Sequence, residues 1–380
     1  MPIRLVIDGT QAISPRIRGA RRYASKLIEL LSNSGTEIEL KVFCNSFPRK
    51  IRTGILANQR SVPVHFSGLP GRFLAKWWDR FAYPLVDLFV GTHDLFHAPS
   101  IHLVPPTGGR LVCTVHDLVP LLFPDQCTKP YLRFFRSKLK LIKERAEAVI
   151  AVSESTKNDL IKLMDFPADR ISIIPEAASF HLDPARAASP ADLTLKNLRM
   201  TKPYLLYVGG GEPHKNLVNL IKVFRILKKE SKIPHKLVMV GDNIEEALHQ
   251  NHPDLLREPD KDILFTGYLP DEQLQEVYRN ADAFVFLSLY EGFGLVLLEA
   301  MRFGLPIVAS NTSSIPEVVG NDAILVNPTD IEEIREAILK VIKDETLRDL
   351  LRKQSLARSS MFTWASTASQ TIAVYKQILG

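Results

Sequence analysis

The sequence contains few cysteines and no long apolar run. Its three cysteines, Cys44, Cys113 and Cys127, are odd in number and follow no metal-binding spacing, which argues against a disulfide framework and a zinc site. The H-E-x-x-H, EF-hand, C-x-x-C and G-x-S-x-G patterns are missing, so we infer neither a metal centre nor a serine triad. The start, MPIRLVIDGT, enters a strand-like run without the apolar segment of a secretory signal, and no stretch resembles a membrane span. We therefore expect a protein of the reducing cytoplasm.

Length and composition predict two globular domains. A chain of 380 residues exceeds the roughly 100 to 200 residues of one domain, and 46% hydrophobic with 24% charged residues is typical of folded proteins. Residues 1–190 hold 26 lysines and arginines against 17 aspartates and glutamates, whereas the remainder holds 22 against 25. This basic excess in the first half indicates an anionic partner, either nucleic acid or a membrane surface, or only a solvated positive face.

Apolar strand-like runs alternate with helical patterns along both halves of the chain. The strand-like runs are 3–7, 38–43, 111–115 and 148–152, then 203–208, 236–240, 262–265, 282–287 and 306–309. The helical patterns lie at 20–32, 131–147, 216–230, 271–279, 295–303 and from 330 onward. This alternation predicts an α/β protein with two doubly wound, Rossmann-like parallel sheets.

The segment 181–200 interrupts the alternation. Its proline, alanine and aspartate content and its lack of periodicity predict a linker between an N-terminal domain, 1–180, and a C-terminal domain, 201–362. Periodicity does not place the final helix-like stretch, 363–380, for which the surface of the N-terminal domain is one candidate location. Ligands of open parallel sheets bind beyond the carboxyl ends of the strands, so we expect the two domains to face each other across a ligand-binding cleft.

A glycine-containing loop in the second half is a candidate phosphate site. The stretch EGFGLVLLE follows the strand-like run 282–287 and leads into a helix. The first free backbone N–H groups of that helix, near 293–296, carry partial positive charge and favour a phosphate. Gly292 and Gly294 permit the close backbone approach that a diphosphate requires.

Two carboxylates, Glu291 and Glu299, bracket this helix start. An ionised carboxylate only accepts hydrogen bonds, and it can bind two hydroxyl groups of a sugar. Acids on either side of an anion site therefore suit a ligand with sugar at each end and phosphate between, which is a sugar nucleotide. The spacing alone also permits an alternative, in which one glutamate caps the helix and the other lies solvated on its face.

Two other strand ends carry candidate residues. The stretch YVGGGEPHKNL, 207–217, offers a glycine-rich turn with Gly210 and Gly211, followed by Lys215; it would be a second clamp on a diphosphate or only a flexible turn. It matches neither the dinucleotide fingerprint nor the P-loop. In CTVHDLVPLLFP, His116 ends an apolar strand, where it would bind a sugar hydroxyl or a leaving group, or have a structural role.

The earliest loop carries a cluster of positive charge. Gly19 precedes a helix start in IRGARRYASKLIELL, and three arginines surround it: Arg18, Arg21 and Arg22. These side chains would meet a phosphate or would only be solvated.

Two stretches, 71–85 and 129–147, mix aromatic residues with lysine and arginine at roughly helical spacing. Helices of this composition lie well at an anionic membrane interface. The alternative is a pair of ordinary helices, each with aromatics in the core and a solvated basic side.

Together these segments resemble the retaining, nucleotide-sugar-dependent glycosyltransferases of the GT-B fold, family 4, also called glycosyl transferases group 1. The resemblance covers nearly the whole chain. Its most specific element is the E-x7-E signature in EGFGLVLLE, followed by AMRFGLPIVASNTSSIPEVVG. TVHDLVPLLFP, VIAVSESTKNDL and YLPDEQLQEVYRNADAFVFLSLYEGFG are also similar to family segments. The resemblance implies two Rossmann-like domains facing across a cleft and metal-independent transfer of a hexose.

The resemblance also implies roles for individual residues. Glu291 would lie by the hydroxyls of the transferred sugar, and Glu299 would hold the nucleotide ribose. His116 would contact the donor sugar, and Lys215 would stabilise the diphosphate leaving group. The other contacts to the nucleotide sugar would be backbone at Gly292, Phe293, Gly294 and Leu295, the base at Tyr268 and Leu269, and close approach at Gly19, Gly210 and Gly211.

Two positions depart from the family pattern. The family places an arginine with its lysine, either five positions before it or immediately before it, and here those positions hold Gly210 and His214. The first-loop pattern G-x-G-R-Y reads GARRY from Gly19, with Arg21 replacing the second glycine. Arg21 or His214 would therefore take the place of the family arginine.

The HDL-x-P segment is similar to that of bacterial mannosyltransferases, which favours GDP-mannose as the donor; UDP-glucose and UDP-N-acetylglucosamine are alternatives. The nucleotide sugar is a substrate, and we expect no cofactor. The basic, aromatic N-terminal half suits a polyprenyl-diphosphate-linked glycan acceptor of polysaccharide biosynthesis, with peripheral contact to the inner face of the cell membrane.

Two readings of other classes remain open from sequence. One is a two-domain solute-binding protein without catalysis, although such proteins usually carry an export signal. The other is a nucleic-acid-binding protein, suggested by the basic excess, although the basic residues form no recognisable nucleic-acid-binding module and we expect no nucleic-acid partner.

Overall fold

The chain forms two compact units. The computed structural model describes residues 1–13, 19–47, 62–178, 195–198, 200–257 and 260–380. One unit consists of Met1–Ala177 with Thr363–Gly380, and the other of Ala178–Phe362. Most of the predicted linker, residues 181–194 and 199, lies outside the described residues.

The first unit is built on a seven-stranded sheet whose strands are all parallel, in the order β3-β2-β1-β4-β5-β6-β7. Its strands are β1 Ile3–Asp8, β2 Ile38–Cys44, β3 Val64–Phe66, β4 Leu95–Ala98, β5 Arg110–Val115, β6 Ala148–Ala151 and β7 Ile171–Ile173. The helices that follow in sequence are α1 Gly19–Ser32, α2 Gly71–Phe81, α3 Asp87–Val90, α4 Val119–Leu122, α5 Lys129–Arg145 and α6 Glu154–Met164. The central strands β4 and β6 are buried along their whole length, as expected of strands covered on both faces.

Local capping explains where two of these helices begin. The Thr128 side chain accepts a hydrogen bond from the Tyr131 backbone N–H at the start of α5, and the Ser153 side chain does the same for Thr156 at the start of α6. Basic residues in the last turn of α5 complement the helix dipole.

The second unit is built on a six-stranded parallel sheet in the order β10-β9-β8-β11-β12-β13. Its strands are β8 Tyr204–Val208, β9 Lys236–Val240, β10 Ile263–Gly267, β11 Ala283–Phe286, β12 Ile307–Ser310 and β13 Ile324–Val326. Its helices are α7 Leu217–Glu230, α8 Ile244–Asn251, α9 Asp271–Asn280, α10 Leu295–Arg302, α11 Ile315–Val319, α12 Ile331–Lys343 and α13 Glu345–Ser360. The order reverses between β8 and β11, so the carboxyl ends of these two strands form a topological switch point.

The C-terminal helix, α14 Trp364–Leu379, belongs to the first unit and contacts α1. The Thr367 hydroxyl donates to the Pro175 carbonyl at 2.8 Å, and the buried Tyr375 hydroxyl lies 2.5 Å from His97 Nδ1 on β4. Burial lowers the pKa of His97 to about 3, so its ring is neutral at pH 7 and its Nε2 pairs with the Thr114 hydroxyl at 2.9 Å. The final helix is thereby anchored by a hydrogen-bond network inside the first sheet.

Within the described parts of the chain, no helix is both long and apolar enough to cross a membrane.

Candidate active site

The loop between β11 and α10 contains the predicted phosphate site. Gly294 has φ 103°, a backbone conformation that favours glycine, and a Cβ atom there would lie 3.0 Å from Leu297 Cδ1. No described side chain caps the start of α10. The Phe293 side chain is buried against Phe362, so the loop presents its backbone rather than this ring. The helix start therefore has the backbone geometry that an anion requires.

Lys215 and Glu291 form a bidentate ion pair across two loops. Lys215 Nζ lies 2.8 Å from Glu291 Oε1 and 2.9 Å from Oε2, and the side chains are only 17% and 12% exposed. The pair stands at the carboxyl ends of the neighbouring strands β8 and β11. The structure therefore brings together two residues that are 76 positions apart in the sequence.

The backbone on each side of this pair is fixed by further hydrogen bonds. The Asn216 amide donates to the carbonyls of Leu287 at 3.1 Å and Pro328 at 2.7 Å. The Leu289 N–H donates to the His214 carbonyl at 2.7 Å. These bonds join the β8 loop to the β11 loop and to Pro328, which follows β13, so the ion pair lies on preorganised loops.

Two serines that the sequence analysis did not select hold the Glu291 loop in place. The Glu291 N–H donates to the Ser313 hydroxyl at 2.9 Å. The buried Ser314 hydroxyl lies within donating distance of two carbonyls, Glu291 at 3.0 Å and Phe293 at 2.9 Å. Both serines follow β12, and the family segment SNTSSIPEVVG was the only signal that could have pointed to them.

Glu299 is buried in α10, and its Oε2 accepts a hydrogen bond from the Tyr278 hydroxyl at 3.1 Å. The alternative of a solvated Glu299 is therefore wrong. The other part of that alternative, a capping role for Glu291, also fails, because its carboxylate binds Lys215 instead of the helix start. A buried carboxylate is costly unless it is hydrogen-bonded, which indicates a specific role for Glu299.

His214 does not supply a charge in place of the family arginine. Its ring is buried, and burial together with the neighbouring ammonium of Lys215 lowers its pKa to about 4. The residue is therefore neutral at pH 7. Of the two candidates for the missing charge, only Arg21, which is partly buried on α1, carries one.

The glycine-rich turn after β8 has a packing role. A Cβ on Gly211 would lie 2.8 Å from Ala247 Cβ and 3.0 Å from Ile244 Cα, both in α8, so a larger residue would force the helix away. Gly210 has room for a Cβ only if the flexible Glu212 side chain moves. Position 211 therefore has less space for a side chain than we would expect of a turn that is only flexible.

Tyr268 and Leu269 follow the edge strand β10, at the same end of the sheet as the ion pair, because all six strands are parallel. Tyr268 is half exposed and Leu269 is buried. An exposed aromatic ring at this edge is available for stacking with a base.

In the first unit, His116 follows β5 and has a partner on each ring nitrogen. Nδ1 lies 2.8 Å from Glu176 Oε1, and Nε2 lies 2.9 Å from the Pro99 carbonyl. Tyr23 packs edge-on against the ring at 4.9 Å. Burial lowers the pKa of His116, but the hydrogen bond and charge of Glu176, together with the Pro99 carbonyl and Asp117, outweigh it, so the net pKa is raised. Glu176 lies 60 residues from His116 in the sequence and was not among the predicted site residues.

The first-loop residues are described only in part. Gly19 is the first residue of α1, and Arg21 and Arg22 lie in its first turn. Arg18 lies outside the described residues, so the predicted cluster has no full geometry.

The two aromatic and basic stretches differ in the structure. On α2, Leu74 and Trp78 are buried, whereas Phe73, Trp77 and Phe81 are 58%, 42% and 57% exposed. On α5, Phe135 is buried, and Tyr131 is the one large hydrophobic side chain of this helix that is exposed. Helix α5 fits the alternative of an ordinary helix with aromatics in the core and a solvated basic side. Helix α2 has both a core face and an exposed aromatic face.

Across the described ranges, no group of three or more histidine, cysteine, aspartate or glutamate side chains could hold a metal ion.

Two family models match most of the chain. Residues 17–178 match the model of Glycosyltransferase Family 4, and residues 194–358 match that of Glycosyl transferases group 1. The chain is 32% identical over 389 residues to O-antigen chain mannosyltransferase B of Escherichia coli, which covers 98% of this chain and 99% of that protein. It is 33% identical over 279 residues to the serotype-specific mannosyltransferase WbdA of Escherichia coli, covering 71% of this chain but 34% of WbdA.

Solved structures show the same fold. Anabaena Alr3699/HepE, in complex with UDP-glucose, superposes with a TM-score of 0.72 at 18% identity, over 99% of this chain and 100% of that chain. The resemblance inferred from the motifs is confirmed, as is the GT-B fold. The chain belongs to glycosyltransferase family 4, the group 1 glycosyl transferases, and is a hexosyltransferase.

Proposed function

We propose that this enzyme transfers mannose from GDP-mannose to a polyprenyl-diphosphate-linked glycan, with retention of the anomeric configuration and without a metal ion. The observation that carries the proposal is the Lys215–Glu291 ion pair beside the uncapped start of α10. Lys215 and the helix start together provide a binding site for the diphosphate, and the Glu291 carboxylate provides acceptors for the sugar hydroxyls. The 32% identity to a mannosyltransferase over 98% of the chain supports mannose as the sugar.

Binding of the nucleotide sugar would exchange the partners of the ion pair. The diphosphate competes with Glu291 for the Lys215 ammonium, and the released carboxylate then accepts hydrogen bonds from the sugar hydroxyls. The buried Glu299 would hold the ribose, with Tyr278 fixing its carboxylate. The bound nucleotide sugar thus gives Lys215 and Glu291 each a new partner, which limits the free-energy cost of separating the two charges.

In the transfer step the bond between the sugar C1 and the diphosphate oxygen breaks, and C1 bonds to the acceptor hydroxyl oxygen. The nucleoside diphosphate departs with the bonding electrons, and its leaving oxygen takes up the proton of the acceptor hydroxyl. Negative charge grows on the leaving group, where Lys215 and the N–H groups at 293–296 would stabilise it. With His214 neutral, we propose Arg21 as a second cation for the diphosphate. An Arg21→Ala enzyme with unchanged affinity for GDP-mannose would contradict this role.

The donor is tested with a panel of GDP-mannose, UDP-glucose and UDP-N-acetylglucosamine. We expect GDP and GDP-mannose to raise the melting temperature, and mass spectrometry to show a hexose added to a lipid-linked acceptor extract. Because HepE was solved with UDP-glucose, that donor is the main alternative, and stabilisation by UDP alone would favour it.

Anomeric couplings in the NMR spectrum of the product test retention, and unchanged turnover in EDTA tests the metal-independent reaction. The solute-binding alternative is excluded, because the chain is a glycosyltransferase.

The exposed face of α2 supports contact with an anionic membrane, and hence a lipid-linked acceptor at the inner face of the cell membrane. Phe73, Trp77 and Phe81 lie next to one another along this face with tilted rings, whose centroids are 5.9 Å and 4.5 Å apart. Three exposed basic residues alternate with them: Arg72, Lys76 and Arg80. Aromatic rings beside cationic side chains suit the headgroup region of anionic lipids.

Vesicle sedimentation tests this contact. We expect binding to vesicles that contain anionic lipid at low salt, and weaker binding for a Trp77→Ser, Phe81→Ser double variant. Leu350→Ser, at an exposed leucine of α13, is the matched control and should bind as the parent does. Equal binding by both variants, or no binding by the parent, would contradict the proposal.

A further inference from the structure

His116 has an acceptor on each ring nitrogen, and this determines its charge. The Pro99 carbonyl can only accept, so Nε2 must carry a proton. The other partner is the Glu176 carboxylate, whose Oε1 lies 2.8 Å from Nδ1, so one proton lies between these two atoms. An imidazole is a stronger base than a carboxylate by about 2 pKa units in model peptides, so that proton resides on the ring. The arrangement is an imidazolium paired with a carboxylate.

The pair is largely enclosed within the first unit. The Glu176 side chain is 4% exposed and that of His116 is 19% exposed. A carboxylate this buried requires a cationic or hydrogen-bonding partner. Among the described residues, His116 lies within hydrogen-bonding distance of it. The exposed part of the ring is therefore small.

We propose that Glu176 is a positioning residue, which holds His116 as an imidazolium in a fixed orientation for contact with the sugar of the nucleotide-sugar donor. This inference rests on the proposed function, because that function assigns the donor-sugar contact to His116. An imidazolium at His116 is a positive charge that the neutral His214 does not provide. Neutral histidine would lose one of its two hydrogen bonds, so ring charge and ring orientation change together.

The other titratable groups around His116 do not compete for this proton. Burial raises the pKa of Tyr23 on α1, so its phenol stays neutral, and burial lowers the pKa of His97 on β4 to about 3. Burial also lowers the pKa of His102, with Lys138 and His116 adding to the effect. Asp117 favours the cation, as Glu176 does, although its contribution is smaller. Glu176 is therefore the group whose removal changes the charge on His116.

The test is a Glu176→Gln variant, which keeps the size and one acceptor oxygen but loses the charge. Without the carboxylate, burial lowers the pKa of His116, so the ring becomes neutral near pH 7 and is protonated again only in acid. We expect kcat/KM of the variant to fall about ten- to hundredfold at pH 7.5, as for other partners that orient a functional histidine. The loss should shrink towards pH 5.5. The matched control is Glu144→Gln, at an exposed carboxylate of α5, which should show the parent profile.

Imidazole 15N NMR of the full chain provides a readout that does not depend on turnover. We expect His116 to show two protonated nitrogens at pH 7.5 in the parent and one in the Glu176→Gln variant. Addition of GDP-mannose should shift the His116 signals more than addition of GDP does. If the parent is inactive with every donor but the NMR difference is present, the proposed function fails while the imidazolium pair stands.

Three results would overturn the inference. A neutral His116 in the parent at pH 7.5 removes its basis. A loss of activity in the variant that is the same at every pH indicates a structural role only. Unchanged activity at pH 7.5 shows that the charge is not used. If Glu176→Gln does not fold, as judged by circular dichroism, Glu176→Asp keeps the charge and should keep the protonated ring while changing its orientation and KM.

Discussion

Lys215 Nζ lies between the two carboxylate oxygens of Glu291, 2.8 Å and 2.9 Å away, in loops that follow neighbouring parallel strands. The two residues that the family resemblance assigns to the diphosphate and to the transferred sugar are thus each other's partners in this structure. A ligand that carries both groups would satisfy both side chains when it separates them. Substitutions of the two residues should therefore have different effects on nucleotide binding and on turnover.

Replacement of Lys215 by alanine should weaken both binding and catalysis. The variant lacks the ammonium that offsets charge on the departing diphosphate, and we expect kcat/KM to fall by about 10²- to 10³-fold, the usual effect of removing one such contact. Calorimetry should show weaker binding of GDP. Lys222→Ala, at an exposed lysine of α7, is the control and should match the parent. Nearly full turnover in Lys215→Ala would contradict the assignment.

Replacement of Glu291 by glutamine should separate binding from catalysis. Because Lys215 loses its internal partner, GDP should bind as tightly as in the parent or more tightly. Turnover of GDP-mannose should nevertheless fall, since a charge-assisted bond to the sugar hydroxyls is lost. The exposed Glu245 of α8, changed to glutamine, provides the control. Weaker GDP binding in Glu291→Gln would show that the ion pair does not compete with the ligand.

Replacement of Ser314 by alanine should loosen the Glu291 loop without removing any group that touches the ligand. Two buried carbonyls lose their shared hydroxyl, which should lower the free energy of unfolding by about 1 to 3 kcal/mol. We expect kcat to fall roughly tenfold, because small displacements of catalytic groups are costly. Denaturant unfolding and steady-state kinetics measure the two effects. Ser360→Ala, which removes an exposed hydroxyl from α13, should change neither, and equal losses in both variants would rule out a specific role for Ser314.

Acid should destabilise the enzyme through His97. The unfolded chain binds a proton at this residue below about pH 6.5, whereas the folded chain does so only near pH 3. The native pKa is the lower one, so the stabilisation is present above pH 6.5 and is lost as the pH falls towards 3. The contribution is about 1.4 kcal/mol for each pH unit within that window.

A His97→Gln variant tests this expectation. Its free energy of unfolding should depend less steeply on pH between 6 and 4 than that of the parent, when both are measured in denaturant. His249→Gln, at an exposed histidine of α8, serves as the control and should keep the parental slope. Equal slopes in the parent and His97→Gln would show that the ring is not neutral when buried.

The regular elements with clear periodicity were predicted close to their observed ends. The apolar run 236–240 is strand β9. The helix-like stretch 364–379 is helix α14, although its periodicity did not indicate where it packs. The strands Val64–Phe66, Leu95–Ala98, Ile171–Ile173 and Ile324–Val326 were not predicted. Each has three or four residues, too few to show a period, and pairing with a neighbouring strand defines them.

Candidate residues were identified where a motif was contiguous. EGFGLVLLE selected Glu291 and Glu299 together, and the strand-end rule selected His116 and Lys215. Their partners come from distant segments, so no spacing could indicate them: Glu176 for His116, Tyr278 for Glu299, and Ser313 with Ser314 for the Glu291 loop. The neutral state of His214 could not be predicted from the sequence either, because it depends on burial.

From the sequence alone followed the α/β class, the family and the side chains able to bind phosphate and sugar, because these depend on local pattern and on the chemistry of each residue. The tertiary structure decided the charges and the partners: a neutral His214, a cationic His116, and a Lys215 paired with Glu291. Burial and long-range contacts set the protonation and orientation of a side chain, and both arise only when remote segments meet in the folded chain.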